Sequence, residues 1–370
     1  MRFWTDMRKP FGVLGFILLL LALPLHAAIP VTDLGTLGGD EGSAFAINDR
    51  GQVVGYATTA DGTRHAFLWE NGIMTDLSTP DVASSRAVAI NQRGQIVGTS
   101  EVAPGQSHAV LWEDGEMTDL GTLGGAWSSP WGISENGIVH GLSTTASGQT
   151  HGFVWRDGVM MDVGTLGGIY SDASSVNWQA QAAGYSEDHQ GQSHAFIWKD
   201  GAMSALPTLG GSSSIARGMD WRGRVVGGSQ DTQGRSKAVL WLDGTIIELD
   251  LPDNDDSSAF LINARGQIAG QMTVDGEVRG FLWHQGRTLD LGDVRAPQAL
   301  NLRGQVAGFK TWGQAYRWSN GRGIQLEDLG GAESNVNGMN NWGQVVGYSK
   351  NAQGAARPVL WGVSRNPRLD

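Results

Sequence analysis

The 370-residue chain contains no cysteine, which rules out a disulfide framework, a lipidated N-terminal cysteine and all thiol chemistry. Charge is sparse at 17% and biased to acid, with 26 Lys and Arg against 37 Asp and Glu and a formal net charge of -11. Such a surface repels phosphate backbones and anionic lipid, so nucleic acid is not an expected partner. Long apolar runs are missing except from Phe11 to Leu23. That run falls short of the roughly 20 residues of a spanning helix. Preceded by Arg2, Arg8 and Lys9 and followed by Leu25-His26-Ala27-Ala28, it reads as a secretory signal over residues 1-28, with no membrane span after cleavage. Loss of the first 27 residues removes three basic groups and one acidic group, taking the charge from -11 to about -13. The mature chain is expected to be secreted, periplasmic or extracellular, and monomeric.

What the chain has in excess is glycine, at 55 residues, and tryptophan, at 15, a profile of short strands and turns. Tryptophans at 69, 112, 155, 198, 241, 283, 318 and 361 mark eight copies of one unit, most of them 43 residues apart. A second marker agrees. Asn48, Asn91, Ser134, Asn177, Asp220, Asn263, Asn301 and Asn340 stand three residues before a glycine in every copy but the fourth, which reads NWQAQAAG from Asn177.

Each unit holds four strand-like runs, in the first copy TDLGTL from Thr32, SAFAIN from Ser43, QVVGYA from Gln52 and HAFLW from His65. Asn71-Gly72, Asp114-Gly115, Asp157-Gly158, Asp200-Gly201, Asp243-Gly244 and Asn320-Gly321 join HAFLW-type strands to the next Thr-Asp-Leu. These dipeptides favour type I′ hairpins, whose two central residues need positive φ. Repeats of this length and pattern specify an all-β fold, a β-propeller of eight four-stranded antiparallel blades filling residues 29-370 as a single domain. A β-solenoid is the alternative, but its parallel coils do not use Asn-Gly hairpins. Alanine and glycine in the second and third runs suit the narrow inner end of a blade, which leaves the Thr-Asp-Leu strand outermost.

A two-residue turn at Asn71-Gly72 pairs Glu70 with Ile73, Trp69 with Met74 and Phe67 with Asp76, and makes His65 and Asp76 diagonal neighbours. The same register relates His108 to Asp119, His151 to Asp162, Lys237 to Glu248 and Arg279 to Asp290, while His194 meets Ala205 and Gln314 meets Gln325. Replacement of histidine by lysine or arginine would destroy a metal ligand or general base but keeps an ion pair. The pairs are therefore expected to be structural. Arg357 begins a strand with no successor and Asp33 lies on one with no predecessor. Pairing the N-terminal with the C-terminal strand would close the ring and bring these two together.

The signal sequence, the recurring His-Ala-Phe, the Asp-Leu-Gly-Thr-Leu-Gly-Gly at Asp33 and Asp119 and the Asn-x-x-Gly-Gln-x-x-Gly motif resemble the HAF-repeat family of bacterial extracellular repeat proteins. The resemblance spans nearly the whole mature chain and implies export without specifying a reaction. Later copies depart from the triplet, reading KAVLW, RGFLW, QAYRW and RPVLW.

No Gly-x-Ser-x-Gly elbow, phosphate loop, His-Glu-x-x-His or EF-hand loop occurs. No catalytic residue, metal site or cofactor is expected. Glycine pairs at Gly38, Gly124, Gly167 and Gly210 read as crossovers, Asp253 to Asp256 as a solvated loop, and His140, His189 and His284 as surface residues. Function should lie where copies differ. Trp127 and Tyr170 occupy matching places in a loop between the first and second runs. On the opposite face Trp178 and Trp221 occupy a polar turn, with Trp342 one place later. Tryptophans there form a candidate stacking platform for a glycan or an extracellular protein. The expected role is a non-enzymatic binding or interaction module. A polysaccharide hydrolase or lyase and a structural envelope or matrix protein are the alternatives.

Overall fold

A computed structural model describes residues 28-78, 83-252, 255-292, 294-310 and 313-362. Residues 1-27, all but the last residue of the expected secretory signal, lie outside the described residues. Every named element is a strand.

The first blade is Gly38–Ile47, Val53–Thr59, Arg64–Glu70 and Ile73–Asp76, paired in that order and antiparallel throughout. The same four-strand meander recurs from Ser85–Ile90, Gly124–Ile133, Gly167–Val176, Gly210–Met219, Ser257–Ile262 and Ala296–Leu300. A single bridge, Thr150 to Tyr170, joins the third group to the fourth. The eighth blade takes three strands from the end of the chain, Gly330–Met339, Val345–Asn351 and Ala356–Trp361, and its fourth, Val31–Asp33, from the beginning. The chain is a β-propeller, and its two ends share one sheet.

The hairpin register is the one the spacing implies: Glu70 faces Ile73, Trp69 faces Met74 and Phe67 faces Asp76. Asn71 and Gly72 adopt φ of 53° and 86°, as a type I′ turn requires. Gln285-Gly286 forms the same turn without the Asn or Asp signature, at 51° and 76°.

The first strand of each blade packs against the first strands of its neighbours, which places these strands round the axis. Alanine and glycine make that proximity possible. Gly98 lies opposite the inner strand Ser85–Ile90, and a Cβ there would stand 1.9 Å from the Arg86 carbonyl oxygen. The marker tryptophans close the wide end. Trp112, Trp241 and Trp361 are buried, and their indole N–H groups donate to the carbonyls of Leu77, Pro207 and Glu327. A serine at the start of the next blade adds a second tie, as where Ala66 N–H donates to Ser85 Oγ at 2.8 Å.

The asparagine marker is a ring of joints. Asn91 Oδ1 accepts the backbone N–H groups of Arg93 and Gln95, closing its own turn. Its Nδ2 donates to Gln95 Oε1 at 2.7 Å and to the Ser134 carbonyl of the next blade at 3.0 Å. Asn48, Asn263, Asn301 and Asn340 make the same cross-blade bond, the last of them back to Asn48. In the fifth copy both partners change together: Asp220 replaces asparagine and receives Arg224 Nε at 2.7 Å.

Candidate functional site

Every inner strand carries a bulge, and its position is constant. In the first blade the register skips between Ala44 and Ala46, leaving Phe45 as the extra residue. The same skip leaves out Val88, Trp131, Arg217, Phe260, Gln298 and Asn337, and in the fourth blade a wider one spans Ala173 and Ser174. A bulged residue is unpaired and its side chain is released from the alternation of the strand. With Ser174 for the fourth blade, these positions stand three residues before the asparagine marker, and only phenylalanine occurs twice among them. The repeats thus disagree at a fixed position on the strands lining the axis. Asn337 donates to Ser43 Oγ and the Ala44 carbonyl of the first blade, and the Arg217 guanidinium lies 5.4 Å from the Phe260 ring centre.

Three consecutive blades build a cavity of about 700 Å³ here. The first contributes Phe45, Tyr56 and Arg64, the second Arg86, Thr99 and Glu101, and the third Trp127 and Trp131. Trp131 is 51% exposed although it belongs to an inner strand. Phe45 and Tyr56 pack ring to ring with centres 5.8 Å apart, and the Arg64 guanidinium covers Tyr56 at 5.0 Å. Arg86 Nε donates to Thr99 Oγ1 at 3.3 Å. Glu101 Oε1 accepts the Gly105 N–H at 3.0 Å.

Behind Trp131 lies Asp172, a buried carboxylate. Burial pushes its carboxyl above the usual carboxylate range, and hydrogen bonds from Ser174, Trp131 and Tyr170 oppose the rise. Burial likewise raises the Tyr170 hydroxyl, reinforced by Tyr185, whose ring centre is 5.8 Å away. Asp172 therefore connects a cavity wall to Tyr170.

The structure moves several residues from their expected settings. Trp127 and Tyr170 lie inside the inner strands Gly124–Ile133 and Gly167–Val176 rather than in a loop, because pairing of Gly124 with Thr145 and Gly167 with Asp188 starts each strand earlier. Trp178 and Trp221 sit in turns at the opposite end of the inner strands, after Gly167–Val176 and Gly210–Met219. Trp178 is half exposed, and its Nε1 donates to the Trp221 carbonyl at 3.1 Å. Trp342 Nε1 donates to the Asp49 carbonyl at 2.9 Å. These indoles tie adjacent blades while leaving a face open. His140 is buried rather than exposed: its Nδ1 is 2.8 Å from the Ala173 carbonyl of the next blade.

The recurrent basic and acidic residues meet as cross-strand neighbours in most copies. His65 Nδ1 lies 2.7 Å from Asp76, His108 and His151 each 2.9 Å from Asp119 and Asp162, Arg279 3.6 Å from Asp290, and Arg357 Nε 3.1 Å from Asp33. Lys237 is buried and its Nζ donates to the Asp255 carbonyl at 3.5 Å, while Glu248 faces Val239 across the hairpin. His194, opposite an alanine, takes Asp188 on the neighbouring strand at 2.8 Å. Among the described residues no group of three His, Asp or Glu side chains is placed to hold a metal ion. Asp253 and Asn254 lie outside the described residues, and Asp256 accepts the Ser236 N–H.

No protein-family model and no curated protein matches the chain. Among solved structures it is similar to one from a study of two prolyl endopeptidases, at 12% identity and a TM-score of 0.49, covering 89% of this chain and 51% of that one. A Mycobacterium tuberculosis puromycin-hydrolyzing peptidase is similar at 13% identity and a TM-score of 0.40, with 68% and 52% covered. The SapL1 lectin, solved in complex with alpha methyl fucoside, is similar at 11% identity and a TM-score of 0.33, with 70% and 97% covered. The chain spans about half the length of the two peptidases.

Proposed function

We propose that this chain is an exported β-propeller binding module that seats a saccharide in the cavity formed by its first three blades. The observation that carries the reading is the concave wall of Phe45, Trp127 and Trp131 on strands that line the axis, with Tyr56 beside them on the second strand of the first blade. Aromatic faces beside a few polar groups are how proteins hold flat-faced polar ligands, and an indole half open to water on a rigid strand is poised to stack. The lining includes one carboxylate, Glu101, held by its bond to Gly105. Hydrolysis of a glycosidic bond generally calls on two. That contrast favours binding over the hydrolase alternative. Export rests on the basic and apolar pattern of residues 1-28.

A glycan array probed with the exported chain tests the reading, with Trp127→Ala/Trp131→Ala as control. The expected result is a defined set of saccharides retained by the parent chain and lost by the folded double variant. Equal retention by both would transfer the site elsewhere, first to the turn face that carries Trp178 and Trp221. Retention of no saccharide would end the saccharide reading.

A further inference from the structure

The cavity wall carries charge as well as aromatic surface, and the sign is opposite to that of the molecule. The chain has a net charge of -11, yet this lining contains Arg64 and Arg86 against the single Glu101. Neither arginine forms an ion pair with a described residue. Arg64 is stacked on Tyr56, which fixes the plane of its guanidinium and leaves N–H groups at the edge. Arg86 uses Nε on Thr99, and its terminal nitrogens have no partner among the described residues. Glu101 is committed to the Gly105 turn.

One exposed arginine on a protein surface signifies nothing, since water solvates it well. Two on adjacent blades, lining one aromatic concavity, are a different matter. In a molecule so rich in carboxylates, neighbouring acids would ordinarily compensate them.

We propose that the cavity selects saccharides bearing carboxylate groups, with Arg64 and Arg86 as the acid-recognising residues and Trp127 and Trp131 as the stacking surface. This rests on the saccharide reading above and adds the ligand class. A uronate ring offers both features the wall asks for: an apolar ring face for the indoles, and a planar carboxylate that matches the guanidinium fork with two parallel hydrogen bonds.

Calorimetric titration of the full chain with an oligouronate and with the same oligomer after reduction of its carboxyl groups separates the two claims. The oligouronate is expected to bind at least roughly tenfold more tightly, by an advantage that shrinks with added salt. Arg64→Gln and Arg86→Gln should each lose roughly tenfold for the oligouronate and several-fold less than that for the reduced oligomer. Trp131→Ala should weaken both. Equal binding of the two oligomers, or glutamine variants that bind the oligouronate as the parent does, would overturn acid selection while leaving the saccharide reading intact. If neither oligomer binds but an acidic peptide does, the saccharide reading itself falls. Far-UV circular dichroism of each variant checks that the blades remain formed.

Discussion

Arg357 Nε stands 3.1 Å from Asp33 Oδ2, although 324 residues of sequence separate them. The contact lies on the seam where the last strand receives the first, with Val31 facing Trp361 and Asp33 facing Val359. Its worth can be divided. The ion pair is partly exposed, so Arg357→Ala should cost no more than about 1 kcal/mol. Leu34, which follows the seam strand, is buried in the core of the first blade, and Leu34→Ala should cost about 2–4 kcal/mol. Urea denaturation of both variants measures the ratio; equal losses would show that the seam is held by charge rather than burial.

The joints between blades predict a double substitution. Asn91→Ala strands the Ser134 carbonyl and two turn N–H groups in a buried setting, and should cost about 3 kcal/mol. Asn91→Asp with Gln95→Arg copies the fifth blade, where Asp220 and Arg224 occupy these places, and should recover part of the loss. A double variant as unstable as Asn91→Ala would mean that the pairing does not transfer between blades.

Ala180 stands where the other copies have glycine and keeps their left-handed turn, with φ of 63°. A Cβ in that region is strained, so Ala180→Gly should raise stability by about 1 kcal/mol despite the added freedom of the unfolded chain. The midpoint of thermal unfolding should rise; a fall would show that the Ala180 methyl contributes packing that outweighs the strain.

His140 gives the molecule an acid limit. Burial lowers its pKa from 6.5 to about 4, against the hydrogen bond to the Ala173 carbonyl, which raises it. Because the folded value is depressed, the unfolded chain binds more protons between pH 6.5 and 4. The contribution is therefore complete above pH 6.5 and is lost as the pH falls toward 4, amounting to about 3 kcal/mol. Comparison of the parent with His140→Gln by urea denaturation at pH 7 and pH 4 checks this: the stability gap should narrow in acid, and a constant gap would contradict the assignment.

The turn-face tryptophans make the last case. Trp178→Ala/Trp221→Ala removes the Trp178 bond to the 221 carbonyl and should cost about 1 kcal/mol while leaving saccharide affinity unchanged. Loss of binding by a folded double variant would relocate the site to the turns.

What could be read in the sequence was whatever repeats. Spacing of Trp69 to Trp361 gave the blade count, and Asn71-Gly72 gave the register that sets Asp76 opposite Phe67, because a two-residue turn leaves one pairing. The same logic located Asp33 beside Arg357. Residues in single copy were harder. His140 carries no sign of burial in a linear reading, since its cover comes from Ala173 in the next blade. Lys237 reaches the Asp255 carbonyl, a backbone acceptor that residue type and spacing do not reveal. The signal for Trp131 is positional: it stands three residues before the Ser134 marker, at a place where the copies hardly ever agree. Adjacent strand residues alternate faces by default, and nothing local announces the bulge that frees this one.

The bulge has a consequence for how such a molecule changes. Phe45, Trp131 and Arg217 share one backbone setting but answer to no cross-strand partner, so replacing any of them disturbs no ladder. Each blade thus offers one site whose replacement leaves the strand pairing intact. The lining round the axis can therefore be varied residue by residue while the asparagine joints and tryptophan ties hold the blades in place.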